Sequence, residues 1–193
     1  MTPENHESHI FDPKNIEVLE SEERKTWQNP DEIIGQLDLK PDYVVADLGC
    51  GSGYFSVPIS RKVKKVYGID VQQEMLDYLE RKVRKQKISN IETVLSHGND
   101  VPLENESVDL LLTVNTLHEF RDKENVTKEV KRVLKYNGKA VIVDFVKKET
   151  TRGPPVKIRV SQQQAIELFE KEGLKFLKSH SLPYHYLLIF QKP

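Results

Sequence analysis

Apolar positions along the chain follow two alternating spacings. Short, almost continuously apolar runs at Tyr43–Leu48, Lys65–Ile69, Ile91–Leu95, Val108–Val114 and Lys139–Phe145 have the length and β-branched content of strands. Val108–Val114 is apolar on both faces and therefore central. Between these runs the apolar spacing becomes helical. Ser52–Val63 is one such stretch, with Pro58 tolerated in or near its first turn. Gln72–Lys87 is another, carrying Met75, Leu76, Leu79 and Val83 on one face. A third is Lys123–Leu134, ended by Asn137-Gly138. Further on, Ser161 caps a helix that runs to Glu172 and stops at Gly173. Two last strands, 174–180 and 185–191, flank Leu182-Pro183. Upstream, residues 1–14 show no regular pattern. Residues 15–28 form a helix with a sparse apolar side of Ile16, Leu19 and Trp27, and Asp31 caps a short helix over 31–37.

Strands that alternate with helices pair in parallel, with helices covering both faces of the sheet. The last two strands have no room for a crossover helix between them, so they form a hairpin and the final strand runs antiparallel. The expected fold is α/β: a doubly wound, seven-stranded, mostly parallel sheet with an antiparallel C-terminal hairpin. Ligands of such sheets bind beyond the carboxyl ends of the strands, near the switch in strand order. That rule brings the turn after the first strand, Asp70, and the ends of the third and fourth strands around one crevice.

Composition narrows the function classes. A hydrophobic share of 37% supplies a buried core, and a net charge of -1 gives no overall attraction to nucleic acid or membrane. Charge is nevertheless uneven: residues 1–32 hold nine acidic and three basic side chains, and 123–159 hold eleven basic and four acidic. The basic stretch reads as a solvated helix face plus a loop, with Lys157 and Arg159 as candidate partners of an anionic substrate. The single cysteine, Cys50, excludes an internal disulfide and a cysteine-based metal site. No apolar run approaches membrane-spanning length, and the polar, acidic start lacks the order of a signal peptide. These features lead to the expectation of a soluble cytoplasmic protein.

The strongest chemical signal is Val44-Val45-Ala46-Asp47-Leu48-Gly49-Cys50-Gly51-Ser52-Gly53. A buried strand runs into three alternating glycines and then a helix, so a ligand can lie against bare main chain. The spacing is not the dinucleotide pattern, because the third glycine position falls on Tyr54 or Ser56. It also lacks the trailing Lys-Ser or Lys-Thr of a phosphate-cradling loop. Asp70 ends the second strand about twenty residues later, where a carboxylate accepts hydrogen bonds from ribose hydroxyls. Past the fourth strand, Asn115-Thr116-Leu117-His118-Glu119 faces the crevice. His118 is the candidate general base because imidazole titrates near neutral pH, and Glu119 is placed to orient it or bind an amine. Cys50 reads as structural, and no metal ligand set is visible. Tyr54, Tyr184, His185 and Tyr186 are weaker candidates for the pocket wall.

The glycine motif D-x-G-x-G-x-G, the acid ending the second strand and the terminal hairpin together resemble the class I S-adenosylmethionine-dependent methyltransferases. The resemblance covers roughly residues 40–193, and Pro102–Asp109 is similar to the family's stretch leading into the fourth strand. It is nearest to the small-molecule branch that includes quinone-biosynthesis and arsenite methyltransferases, although the lone cysteine argues against arsenite. The resemblance implies that Asp47, Gly49, Cys50, Gly51 and Gly53 line the methionine end of S-adenosylmethionine. It implies that Asp70 holds the ribose and that Val71 and Met75 flank the adenine. Ser96 and His97 stand where the family has Gly-Asp, which makes His97 and Asn99 candidates near the adenine amino group. Asn115 matches a position touching the methionine portion. Residues 1–39 are expected to form a helical lid on a cofactor-binding domain of residues 40–193. A non-catalytic cofactor-binding scaffold and a protein or nucleic-acid methyltransferase stay open as alternatives, as does the oligomeric state.

Overall fold

Residues 11–193 are described by the computed structural model. Seven strands build one sheet: β1 (Val44–Leu48), β2 (Lys65–Asp70), β3 (Ile91–Leu95), β4 (Val108–Val114), β5 (Leu134–Phe145), β6 (Lys175–Ser181) and β7 (His185–Gln191). Their order is β3-β2-β1-β4-β5-β7-β6. The first five strands pair in parallel. β7 lies antiparallel between β5 and β6, as the hairpin argument requires. The order reverses between β1 and β4, so the crevice opens beyond the carboxyl ends of those two strands.

Helices cover both faces. They are α1 (Ile16–Leu19), α2 (Glu22–Trp27), α3 (Pro30–Gly35), α4 (Ser56–Ser60), α5 (Gln73–Gln86), α6 (Lys123–Val133) and α7 (Gln162–Lys171). Strand residues alternate between two apolar layers. Ala46, Leu111, Ala140 and Ile142 pack with Val126 and Val130 of α6 and Phe169 of α7. Val45, Leu110, Leu112 and Val141 pack with Ile33 and Ile34 of α3 and Ile59 of α4. Burial on both sides explains the continuous apolar runs, each such side chain contributing about 1.5–3 kcal/mol.

The structure redraws several expected boundaries. The helix expected from Ser52 begins only at Ser56, because Gly51 and Gly53 take left-handed φ angles of 51° and 77° and hold residues 51–55 in turns. The helix expected over 15–28 is two helices broken at Ser21, whose hydroxyl accepts the Arg24 N–H at the start of α2. Asn29, not Asp31, caps α3, since its side chain accepts the Asp31 N–H and Pro30 occupies the first turn. Helix α6 gives way to strand at Leu134, which pairs with Val108, and Asn137 turns the chain within β5 at a φ of 62°. Ser161 caps α7 as expected, in a reciprocal capping box with Gln164. The irregular stretch expected at 1–14 lies outside the described residues up to position 10, and Pro13–Asn15 form one 3-10 turn. Among the described residues no helix is long and apolar enough to cross a membrane.

Candidate active site

The glycine turn is tied to the end of β2. The N–H groups of Gly49 and Cys50 both donate to the Ile69 carbonyl, at 2.8 and 3.0 Å. One oxygen of Asp70 accepts the Gly51 N–H at 2.8 Å, and the other accepts the Gln72 N–H at 3.0 Å. Each oxygen keeps a lone pair for a ligand hydroxyl. Burial raises the Asp70 pKa, and these amide bonds oppose the rise. The glycines have distinct duties. A Cβ on Gly49 would lie 2.9 Å from Thr116 Cβ and nearer still to its hydroxyl and methyl, whereas one on Gly51 would meet only Leu19 Cδ1, at 3.5 Å. Gly53 makes room for Leu79 of α5.

A cavity of about 820 Å³ opens over this turn. That is at the upper end of the roughly 300–1,000 Å³ usual for small-ligand sites. Asp47, Gly49, Cys50, Gly51, Asp70, Val71, Met75, His97, Asn99, Asn115, His118 and Glu119 all line it. Gly53, expected at the methionine end, is absent from the lining because it packs behind the turn. His97 reaches the lining as an exposed residue whose N–H is held by Asp100 at 2.7 Å. Asn99 spends its side-chain oxygen on the Asp122 N–H. The Asn115 carboxamide exchanges two 3.1 Å hydrogen bonds with Gln28.

The polar groups of the cavity are strongly perturbed. Asp47 is buried against the Ser56 hydroxyl at 2.5 Å, and burial pushes its pKa up to about 6. Glu119 is pushed up to about 7, by burial first and then by the charges of Asp70 and Asp144, with His118 opposing. Burial holds the Cys50 thiol well above its ordinary pKa, which suits a structural role. His118 is clamped by Asp144: Nδ1 lies 2.7 Å from one carboxylate oxygen, and the His118 N–H donates to the other at 3.0 Å. A carboxylate can only accept, so Nδ1 carries a proton, and in the neutral ring Nε2 is the acceptor. Nε2 bonds no protein atom among the described residues. Among those residues, no group of three or more His, Cys, Asp or Glu is placed to hold a metal ion.

Sequence reasoning missed Asp144, Arg24 and Gln28. Asp144 is a wholly buried acid in the otherwise apolar run Ala140–Phe145, a visible signal of a specific partner. Arg24 and Gln28 come from the N-terminal segment, and only the fold brings Arg24 to the cavity and Gln28 against Asn115 behind it. Arg24 stacks on Tyr54 with its guanidinium carbon 4.0 Å from the ring centre. Trp27 stacks on His185 and leans on Phe145, forming the aromatic end of the cavity with Thr151–Pro154.

Arg159 does not face a substrate. It is 3% exposed and donates to the carbonyls of Val146, Lys148, Arg152 and Pro154 and to the Thr150 hydroxyl. Its own loop captures it because a buried guanidinium needs many acceptors. Lys157 lines a separate shallow depression. Tyr54 does line the cavity, whereas Tyr184, His185 and Tyr186 lie outside its lining. Tyr186 is buried and donates to the Val160 carbonyl. His185 is packed beneath Trp27, and burial lowers its pKa to about 4.

Comparison with known proteins agrees with this geometry. Residues 46–142 match the family described as a methyltransferase domain. A solved S-adenosylmethionine-dependent methyltransferase from Aquifex aeolicus superposes with a TM-score of 0.89 at 30% identity, covering 95% of this chain and all of that one. The chain belongs to the class I S-adenosylmethionine-dependent methyltransferases. An uncharacterized methyltransferase of Schizosaccharomyces pombe is 34% identical over 148 residues, 69% of this chain and 55% of that protein. The ubiquinone/menaquinone biosynthesis C-methyltransferase UbiE of Campylobacter jejuni is 28% identical over 120 residues, 58% and 49% of the two chains. The chain thus spans about half the length of these curated relatives. The cofactor of this methyltransferase family, S-adenosylmethionine, fits the site: Gly51 presents open main chain, Asp70 keeps acceptor capacity, and the cavity has the required volume.

Proposed function

We propose that this methyltransferase transfers a methyl group to a small-molecule acceptor, with His118 as general base. The observation that carries the reading is the Asp144-clamped His118 on the same cavity as the glycine turn. Bound S-adenosylmethionine supplies an electrophilic methyl group on a sulfonium. The glycine turn with Asp47, Cys50 and Asn115 would hold its amino-acid end, Asp70 would accept the ribose hydroxyls, and Val71, Met75, His97 and Asn99 would border the adenine. Asp144 fixes the tautomer and plane of His118, so Nε2 accepts the proton of the acceptor's nucleophile. Glu119, titrating near neutrality, orients the acceptor as a hydrogen-bond donor when protonated. Alignment of nucleophile and methyl in a closed cavity provides the rest of the acceleration.

Residues 11–39 act as a lid. Their side chains Phe11, Leu19, Arg24 and Trp27 roof the cavity, which favours an acceptor small enough to be enclosed. The quinone-biosynthesis activity named for the UbiE relative supports the same acceptor class. The test is turnover of labelled S-adenosylmethionine against a panel of small phenols, enols, thiols and amines. His118→Ala should lower turnover by about 10²–10⁴-fold while its titration with S-adenosylhomocysteine stays close to wild type. Full turnover by that variant removes His118 as the base.

A further inference from the structure

Arg24 is 7% exposed, lines the cavity, and has no carboxylate of the described residues within ion-pair distance. Its two side-chain hydrogen bonds go to neutral acceptors: Nε to Gln28 Oε1 at 3.0 Å and Nη1 to the Leu19 carbonyl at 2.9 Å. Nη2 donates to no described protein atom. Stacking on Tyr54 fixes the guanidinium plane, so the remaining donors lie along one edge. A buried cation without a bonded anion is costly, and such a group is stabilised when a ligand brings the missing charge. Burial accordingly lowers the arginine's pKa to about 10.

The position of Arg24 identifies the ligand group. Arg24 sits over the glycine turn: it stacks on Tyr54 and bonds the carbonyl of Leu19, whose side chain borders Gly51, and it shares the cavity lining with Asp47. Tyr54, Glu20 and Asp47 are the titratable side chains whose charge acts on it. Asp47 is itself buried, with the Ser56 hydroxyl as its hydrogen-bonded partner. One cation and one anion, both desolvated and not bonded to each other, border the same cavity. That pair complements a zwitterionic α-amino acid, whose ammonium matches the acid and whose carboxylate matches the guanidinium. Glu20, by contrast, is already engaged by Ser52 and Lys82 at 2.5 and 2.7 Å.

We infer that Arg24 is the receptor for the carboxylate of the cofactor's amino-acid tail, reaching it from the N-terminal segment and joining that segment to the bound cofactor. The inference rests on the S-adenosylmethionine reading, and its test separates the two. Wild type, Arg24→Met and Arg24→Lys are titrated calorimetrically with S-adenosylhomocysteine and with 5′-methylthioadenosine, the related nucleoside thioether that lacks the amino-acid tail. Arg24→Met should weaken the first ligand by about 10- to 100-fold and leave the second essentially unchanged, and Arg24→Lys should restore part of the loss. The same contrast is read without mutation: wild type should discriminate against the carboxyl methyl ester of S-adenosylhomocysteine by a similar factor. Equal losses for both nucleosides, or undiminished binding of the ester, overturn the inference and make Arg24 a packing residue. A wild-type chain that binds neither nucleoside overturns the cofactor reading itself.

Discussion

Glu119 offers a quantitative test of the cavity's electrostatics. In the folded chain its carboxyl titrates near 7 instead of 4.5, chiefly because burial disfavours the charged form. The folded state therefore holds a proton that the unfolded state has released between these two values, and stability falls as pH rises through that window. Below pH 4.5 both states are protonated and the contribution is absent. Above 7 both are ionised and the full cost stands, about 3 kcal/mol for that difference in titration. Glu119→Gln is nearly isosteric with the protonated acid and never ionises. Urea denaturation of both proteins without ligand, at pH 4.5 and pH 8, should show near-equal stability at the lower pH and the variant ahead by about 2–3 kcal/mol at the higher. Asp47, also raised by burial, and His185, lowered by it, titrate alike in both proteins and cancel in the comparison. A variant no more stable than wild type at pH 8, or a gap that does not change with pH, would show that Glu119 is solvated and refute the reasoning.

Two further outcomes follow from packing. Gly49→Ala should be much more destabilising than Gly51→Ala, by about 2 kcal/mol or more, because its methyl collides with Thr116 whereas the Gly51 site leaves room and carries only backbone strain. Thermal melts rank the two, and equal losses would mean that Thr116 yields freely. Arg159→Met removes the guanidinium bonds that gather the carbonyls of Val146, Lys148, Arg152 and Pro154, so limited trypsin digestion should cut much faster after Lys147, Lys148 and Arg152, with stability down by about 2 kcal/mol or more. Unchanged cleavage would show that the loop holds its shape without that side chain.

What was legible in the chain was what depends on period and local chemistry. Strand positions, the antiparallel hairpin, the glycine turn and Asp70 all follow from spacing, burial and φ requirements that neighbouring residues impose. The helix expected from Ser52 was shortened because glycine conformations extend the turn to Phe55, a preference that apolar periodicity does not register. Arg159 looked like a substrate group because its charge was visible and the carbonyls that absorb it were not. Arg24 lines the cavity stacked on Tyr54, and Gln28 backs it through Asn115, both far along the chain, and no local pattern encodes such pairings. Asp144 was readable in principle, since a lone acid in the run Ala140–Phe145 has to find a donor, and His118 and the Phe145 N–H are what it finds.

The Gln28 side chain ties three parts of the chain together. Its oxygen receives Arg24 and Asn115, and its nitrogen serves Asn115 and His185, so every bonding direction of one flat amide is occupied. A rigid plane that tilts away from one of these three partners misaligns the bonds to the other two. Lifting Gln28 away from the sheet therefore gives up its bonds to Asn115 and His185 together, while the bond to Arg24 stays within the N-terminal segment.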